Sequence, residues 1–136
     1  TSVKKMSALA KEFHVHIVYG MAEKEEDILY NSQFFIDDTG VLLGTYRKVH
    51  LFDSEKNYFT PGDQFKVFNT KIGRIGLFIC YDAFFPEAAR SLAIQGVDLL
   101  VNSTNWEKPY DYDIAKQMKH DYYTMLTERR PDVYIA

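Results

Sequence analysis

The order of strand-like and helix-like segments predicts an α/β fold, a layered sandwich of mixed strands with interspersed helices. Three observations carry that reading. β-Branched and aromatic runs recur at strand length, and apolar residues recur at helical spacing in stretches between them. No repeat, low-complexity tract or Gly/Ser linker divides the 136 residues, so a single domain over 1–136 is expected.

The chain opens with an amphipathic helix, because Val3, Met6, Ala10 and Phe13 recur at helical spacing while Lys4, Lys5 and Lys11 face solvent. Residues 14–22 are a β-branched and aromatic strand. Glu23-Lys24-Glu25-Glu26-Asp27 reads as a charged, solvated turn. Strands over 28–36 and 41–49 form a hairpin through Asp37-Asp38-Thr39-Gly40, where Asp and Gly favour the turn. A second hairpin joins 65–69 to 74–80 through Lys71-Ile72-Gly73. A helix over 86–95 follows: Pro86 tolerates the first turn, Glu87 suits the positive N-terminal dipole, and Gly96 stops the helix. Residues 98–104 return as a buried strand. A terminal helix over 114–128 carries Ile114, Met118, Tyr122, Met125 and Leu126 on one stripe and ends before Pro131.

Composition is that of a soluble domain, with 46% hydrophobic and 26% charged residues and a net charge of −3. No apolar stretch reaches the roughly 18 residues of a membrane span, and no basic segment with an apolar core opens the chain. Cytoplasmic residence, with no membrane partner, is the expectation. Mild acidity with scattered lysines offers no basic face for nucleic acid. The one cysteine excludes an internal disulfide. Asn102-Ser103-Thr104 has the form of a glycosylation sequon, but in an apolar strand it reads as chance.

That cysteine, Cys80, ends the apolar run Arg74-Ile75-Gly76-Leu77-Phe78-Ile79, followed by Tyr81-Asp82-Ala83-Phe84-Phe85-Pro86-Glu87. A strand end followed at once by a turn and a helix start is where an α/β protein exposes a nucleophile. A lone cysteine is more often a small buried hydrophobe. Upstream, however, Lys48 lies in the strand-like Tyr46-Arg47-Lys48-Val49-His50-Leu51, and Glu55 follows. A cation lowers a thiol's pKa and can hold an oxyanion, while a carboxylate can accept its proton. The alternatives are a surface lysine beside Arg47 for Lys48 and a loop charge for Glu55.

From about residue 8 to 105 the chain resembles the nitrilase superfamily, the carbon–nitrogen hydrolases. The resemblance rests on Ile17-Val18-Tyr19-Gly20-Met21-Ala22-Glu23, Leu29-Tyr30-Asn31-Ser32, Tyr46-Arg47-Lys48-Val49-His50-Leu51, Phe59-Thr60-Pro61-Gly62-Asp63, Gly73-Arg74-Ile75-Gly76, Ile79-Cys80-Tyr81-Asp82 and Phe85-Pro86-Glu87. It implies an α-β-β-α sandwich, incomplete here, with subunits paired across a helix face into a homodimer or higher homo-oligomer. It further implies Cys80 as nucleophile, Lys48 as stabiliser of the oxyanion and thioester intermediate, Glu55 as a second, supporting acid, and the Tyr81 N–H as the other oxyanion donor. The substrate would be a small amide, nitrile or carbamoyl compound, hydrolysed through a cysteine thioester without a cofactor.

The pattern departs from the family at two places. The family's first glutamate, its general base, belongs to a strand before residue 7, and none of Glu23, Glu25 or Glu26 matches that motif. After Asp113 the chain passes to a segment ending Arg129-Arg130-Pro131-Asp132-Val133-Tyr134, similar to the family's C-terminal tail, as though a central block near 113 were missing. A catalytically inactive remnant serving as a binding or assembly scaffold is therefore the alternative. Phe84, Phe85, Asn105 and Trp106 are candidate substrate contacts, or else core and rim residues. His14, His16, His50 and His120 have no metal-ligand spacing. His50 could serve Cys80 as a thiol-protease base, but without a recognisable orienting partner.

Overall fold

A computed structural model of the chain describes residues 1–105 and the short strand Tyr134–Ile135. The opening periodicity becomes helix α1, Ser2–Phe13, which buries Ala10 completely. His14 closes the helix in the left-handed region with φ 53°, and its N–H bonds the Ala10 carbonyl. His14 is thus a cap, and the strand expected to start there begins at Ile17. Phe13, placed by its spacing on the buried stripe, is 63% exposed. It is the last helical residue, and no further turn carries it over the sheet.

Strands β1 (Ile17–Glu25), β2 (Ile28–Ile36) and β3 (Leu42–Arg47) form an antiparallel sheet in the order β1-β2-β3. The charged turn read over 23–27 contracts to Glu26–Asp27, because Glu23, Lys24 and Glu25 pair in register with Tyr30, Leu29 and Ile28. In the β2–β3 turn, Asp37 Oδ1 accepts from the Thr39 N–H, the Thr39 hydroxyl and the Val41 N–H. Gly40 has φ 86°, and a Cβ there would approach the Ser7 carbonyl to 2.5 Å, so this turn docks against α1 only with glycine.

The second sheet runs β4 (Val67–Thr70), β5 (Gly73–Ile79), β6 (Leu99–Ser103) and β7 (Tyr134–Ile135), with β4 antiparallel and the others parallel. Helix α2 (Pro86–Ile94) makes the crossover from β5 to β6. Its buried Ala89 and Leu92 meet Ile75, Leu77, Phe78, Val97 and Leu100 in a core that Phe35 and Tyr46 of the first sheet complete. The sheets face each other. Phe35 packs edge-on to Phe68 at 5.7 Å, and Gln33 Nε2 donates to Ser103 Oγ at 2.6 Å. α1 lies against the first sheet and α2 against the second, the α-β-β-α order that the family resemblance implies.

Three strand ends fall earlier than the sequence indicates, β6 by one residue at Ser103. β3 stops at Arg47, so Lys48 and Val49 lie beyond it, and β5 stops at Ile79, leaving Cys80 to the next element. The helix expected over 114–128, its stop at Pro131 and the break near 113 lie outside the described residues. Among the described residues no helix is long and apolar enough to cross a membrane.

Candidate active site

Cys80 stands where β5 ends and a 3-10 helix, Cys80–Phe84, begins. Its φ is 43°, a left-handed conformation that costs a non-glycine residue on the order of 1 kcal/mol. Such a conformation persists only where its surroundings hold it. The Cys80 N–H donates to Asn102 Oδ1 at 2.7 Å, and the preceding Ile79 N–H donates to Asp82 Oδ2 at 2.9 Å. Asn102 reaches across from β6, paired with Phe78 in the parallel ladder. The asparagine of the sequon is therefore part of the turn that presents the thiol. Cys80 itself is partly buried.

Lys48 is 2% exposed, which removes the surface-lysine reading. Its N–H donates to the Asn31 carbonyl at 2.8 Å and its carbonyl accepts from the Gly62 N–H at 2.9 Å. A Cβ at Gly62 would run into the Arg47 carbonyl, so glycine lets that loop close over the Lys48 backbone. An ammonium buried this deeply needs a partner. Lys48 Nζ meets Glu55 Oε2 at 2.6 Å. Glu55 also accepts from Asn31 Nδ2 at 2.7 Å and from the Phe52 N–H at 2.7 Å. Burial pushes the Glu55 pKa up, but Lys48, the Phe52 N–H and Asn31 outweigh it and hold the carboxyl below its usual value. Glu55 is thus clamped rather than a free loop charge.

The two halves are tied by a residue the sequence did not single out. Asp82 is fully buried and accepts four hydrogen bonds: Tyr46 Oη at 2.7 Å and Ile79 N at 2.9 Å on Oδ2, His50 N at 2.8 Å and His50 Nδ1 at 2.9 Å on Oδ1. Burial and then the Asp82 charge push the Tyr46 hydroxyl pKa up, which keeps it a donor. His50 therefore does have an acidic partner, the orienter missing from the sequence reading, but its Nδ1 is turned to Asp82. Among the described residues no hydrogen bond or ion pair joins Cys80 to Lys48, Glu55 or His50.

Tyr81 lies among aromatic rings, with Phe52 at 4.9 Å, Phe84 at 5.2 Å and Phe85 at 5.2 Å between centroids. Phe85 also stacks on His50 at 3.8 Å with an interplanar angle of 8°, so it braces that ring. Phe84 is 38% exposed, and Asn105 is exposed past the end of β6. Trp106 lies outside the described residues, as does His120. Among the described residues no group of three His, Cys, Asp or Glu is placed to hold a metal.

Glu23 proves to be a brace rather than a solvated charge. It accepts from Arg47 Nε at 2.9 Å, Arg47 Nη2 at 2.8 Å and Ser32 Oγ at 2.7 Å, and the Arg47 bond is the main influence holding its carboxyl below the usual range. Arg47 also meets Glu25 at 3.1 Å and covers the Tyr30 ring at 3.8 Å. A cleft of about 410 Å³ between this brace and Asp63, Gln64 and Lys66 does not include Cys80, Lys48 or Glu55 among its walls.

Asp82 carried one local signal, an acid inside an apolar stretch two residues after the cysteine. Asn102 carried one too, an amide in a buried strand. Tyr46 and Asn31 carried only their place in the segments 46–51 and 29–32 that resemble the family.

Residues 1–125 match the model of the carbon-nitrogen hydrolase family, a span that runs past residue 105 where the sequence resemblance stops. A probable nitrilase of Schizosaccharomyces pombe is 50% identical over 123 residues, 87% of this chain and 45% of that protein. An N-carbamoylputrescine amidase of Solanum lycopersicum is 46% identical over 108 residues, 76% of this chain and 36% of that protein. The crystal structure of Saccharomyces cerevisiae Nit3, a member of branch 10 of the nitrilase superfamily, superposes with a TM-score of 0.84 at 28% identity, over 98% of this chain and 48% of that one. The chain thus spans less than half the length of each of these proteins. With the family match covering nearly its whole length, and the sheets and helices arranged as in a solved member, this chain belongs to the carbon–nitrogen hydrolase family.

Proposed function

We propose that the protein carrying this sequence hydrolyses a non-peptide carbon–nitrogen bond of a small amide, or of a nitrile or carbamoyl compound, through a thioester on Cys80. The observation that carries this reading is the burial of Lys48 in an ion pair with Glu55, on a segment that Asp82 fastens to the Cys80 turn. In an amide substrate the Cys80 sulfur attacks the carbonyl carbon, forming a C–S bond. The charge that develops on oxygen is stabilised by Lys48 and by the Tyr81 N–H. Collapse of the tetrahedral intermediate breaks the C–N bond, and the nitrogen leaves as ammonia or amine after taking a proton. Water then attacks the thioester, giving a carboxylic acid and regenerating the thiol. In this reading the proton of Cys80 goes to the family's first glutamate, which belongs to a strand preceding α1 and outside these 136 residues. Glu55 holds Lys48 in place. Phe84, Phe85, Asn105 and Trp106 are the candidate substrate contacts in this reading.

The relatives, a probable nitrilase and an N-carbamoylputrescine amidase among them, support that substrate range. The same reading has the protein acting as a cytoplasmic homo-oligomer without a cofactor. The test is ammonia release from a panel of small amides, nitriles and carbamoyl amines by the protein as its gene encodes it. Cys80→Ala should abolish turnover and leave the circular dichroism unchanged. Alkylation of the wild-type thiol with iodoacetamide should abolish ammonia release, since that sulfur is the nucleophile. Turnover retained in Cys80→Ala rejects the assignment, and a folded wild-type protein inert on the whole panel favours the scaffold reading.

A further inference from the structure

The geometry points to Asp82 and His50 as positioning residues that fix the separation of Cys80 and Lys48. The inference rests on the reaction proposed above. Asp82 lies two residues after Cys80, within the same 3-10 helix. Its four donors come from three segments: Ile79 at the end of β5, Tyr46 in β3, and His50 in the loop beyond β3. Tyr46 and His50 stand two residues before and two residues after Lys48. The backbone that carries the lysine is therefore pinned on both sides to one carboxyl group, and that group belongs to the turn that carries the thiol. Neither half can move without breaking bonds to a side chain that is 0% exposed.

Within this arrangement the His50 side chain has a distinct task. The backbone N–H of His50 and the hydroxyl of Tyr46 already give each Asp82 oxygen a donor. The imidazole adds a second donor to Oδ1, and its other consequence is reach. Stacked flat on Phe85 at 3.8 Å, the ring links the Lys48 loop to the residue that precedes Pro86 at the start of α2. Its side chain is 27% exposed and stands outside the buried core cluster. A nucleophile and an oxyanion donor carried on different elements act together only while their spacing holds. Misplacement on the order of 1 Å lowers rate by about 100-fold without a matching loss of binding.

Two substitutions at His50 separate ring from hydrogen bond. His50→Phe keeps a planar ring on Phe85 and removes the donor. His50→Asn supplies an N–H where Nδ1 stood and removes the ring. In the protein as its gene encodes it, His50→Phe should lower kcat about 10- to 100-fold with KM changed less than about threefold. His50→Asn should recover most of kcat. Wild-type kcat in His50→Phe overturns the inference, as does a loss of kcat that His50→Asn does not recover. Should His50→Phe fail to fold, the isosteric Tyr46→Phe removes a different donor from the same carboxyl, and unchanged kcat in that variant overturns the inference equally. Cys80→Ala and Lys48→Gln run alongside. If both retain turnover, the proposed reaction itself fails. If both lose it while His50→Phe and Tyr46→Phe behave as wild type, only the positioning role fails.

Discussion

Lys48 and Glu55 make a pair of unequal exposure, 2% and 26% at the side chain, joined at 2.6 Å. A buried pair is indifferent evidence for stability, but removing one partner leaves the other desolvated and alone. Lys48→Gln keeps a donor toward Glu55 and loses the positive charge. If Lys48 holds the oxyanion, kcat should fall by at least about 100-fold, with a smaller change in KM. A near-wild-type rate would return Lys48 to a packing role. Glu55 makes a second expectation at this scale, in its pH dependence. Its carboxyl is held below the ordinary 4.5, so its contribution to stability is complete above that value and is lost as the pH falls through the lower, folded one. Urea midpoints taken between about pH 6 and about pH 3.5 should fall less steeply for Glu55→Gln than for wild type. Parallel slopes would mean that other carboxylates, Glu23 among them, carry the acid sensitivity.

At the scale of elements, the junction between β5 and the 3-10 helix is held from a neighbouring strand. Cys80 adopts a left-handed φ of 43° because Asn102 on β6 takes its N–H and Asp82 takes that of Ile79. Asn102→Ala leaves a partly buried donor unpaired, which should cost about 1–2 kcal/mol. That would appear as a lower urea midpoint with unchanged slope. An unchanged midpoint would show that water or another acceptor satisfies the Cys80 N–H. The same asparagine explains the sequon without glycosylation, since its amide oxygen is already engaged inside the sheet.

For the molecule as a whole, both sheets leave edges. Among the described residues β1 and β3 each have one hydrogen-bonded neighbour, and Phe13, Tyr58, Ile72 and Ile94 are 63%, 70%, 58% and 74% exposed. Unpaired edges and exposed apolar side chains promote association. A polypeptide of only these 136 residues should self-associate and release no ammonia from small amides. Light scattering coupled to size exclusion, with an ammonia assay on the same fractions, is the measurement. A monodisperse monomer with turnover would reverse both expectations.

The sequence by itself determined the alternation of helix and strand, the two hairpins, the crossover helix after Pro86 and the motif segments that mark the family. These depend on periodicity, turn residues and motif spacing, all of which act over a few neighbouring positions. Only the tertiary structure decided what joins them. Asp82 meets Tyr46 across 36 positions and His50 across 32, and no local pattern announces a partner at that range. Lys48 could be told from a surface lysine only after its burial was known, and Glu23 from a turn charge only once Arg47 stood beside it. Strand ends moved for the same reason. Lys48 and Cys80 have residues that could continue a strand, but the chain leaves the sheet at both points because hydrogen bonds to Gly62, Asn102 and Asp82 hold the backbone elsewhere.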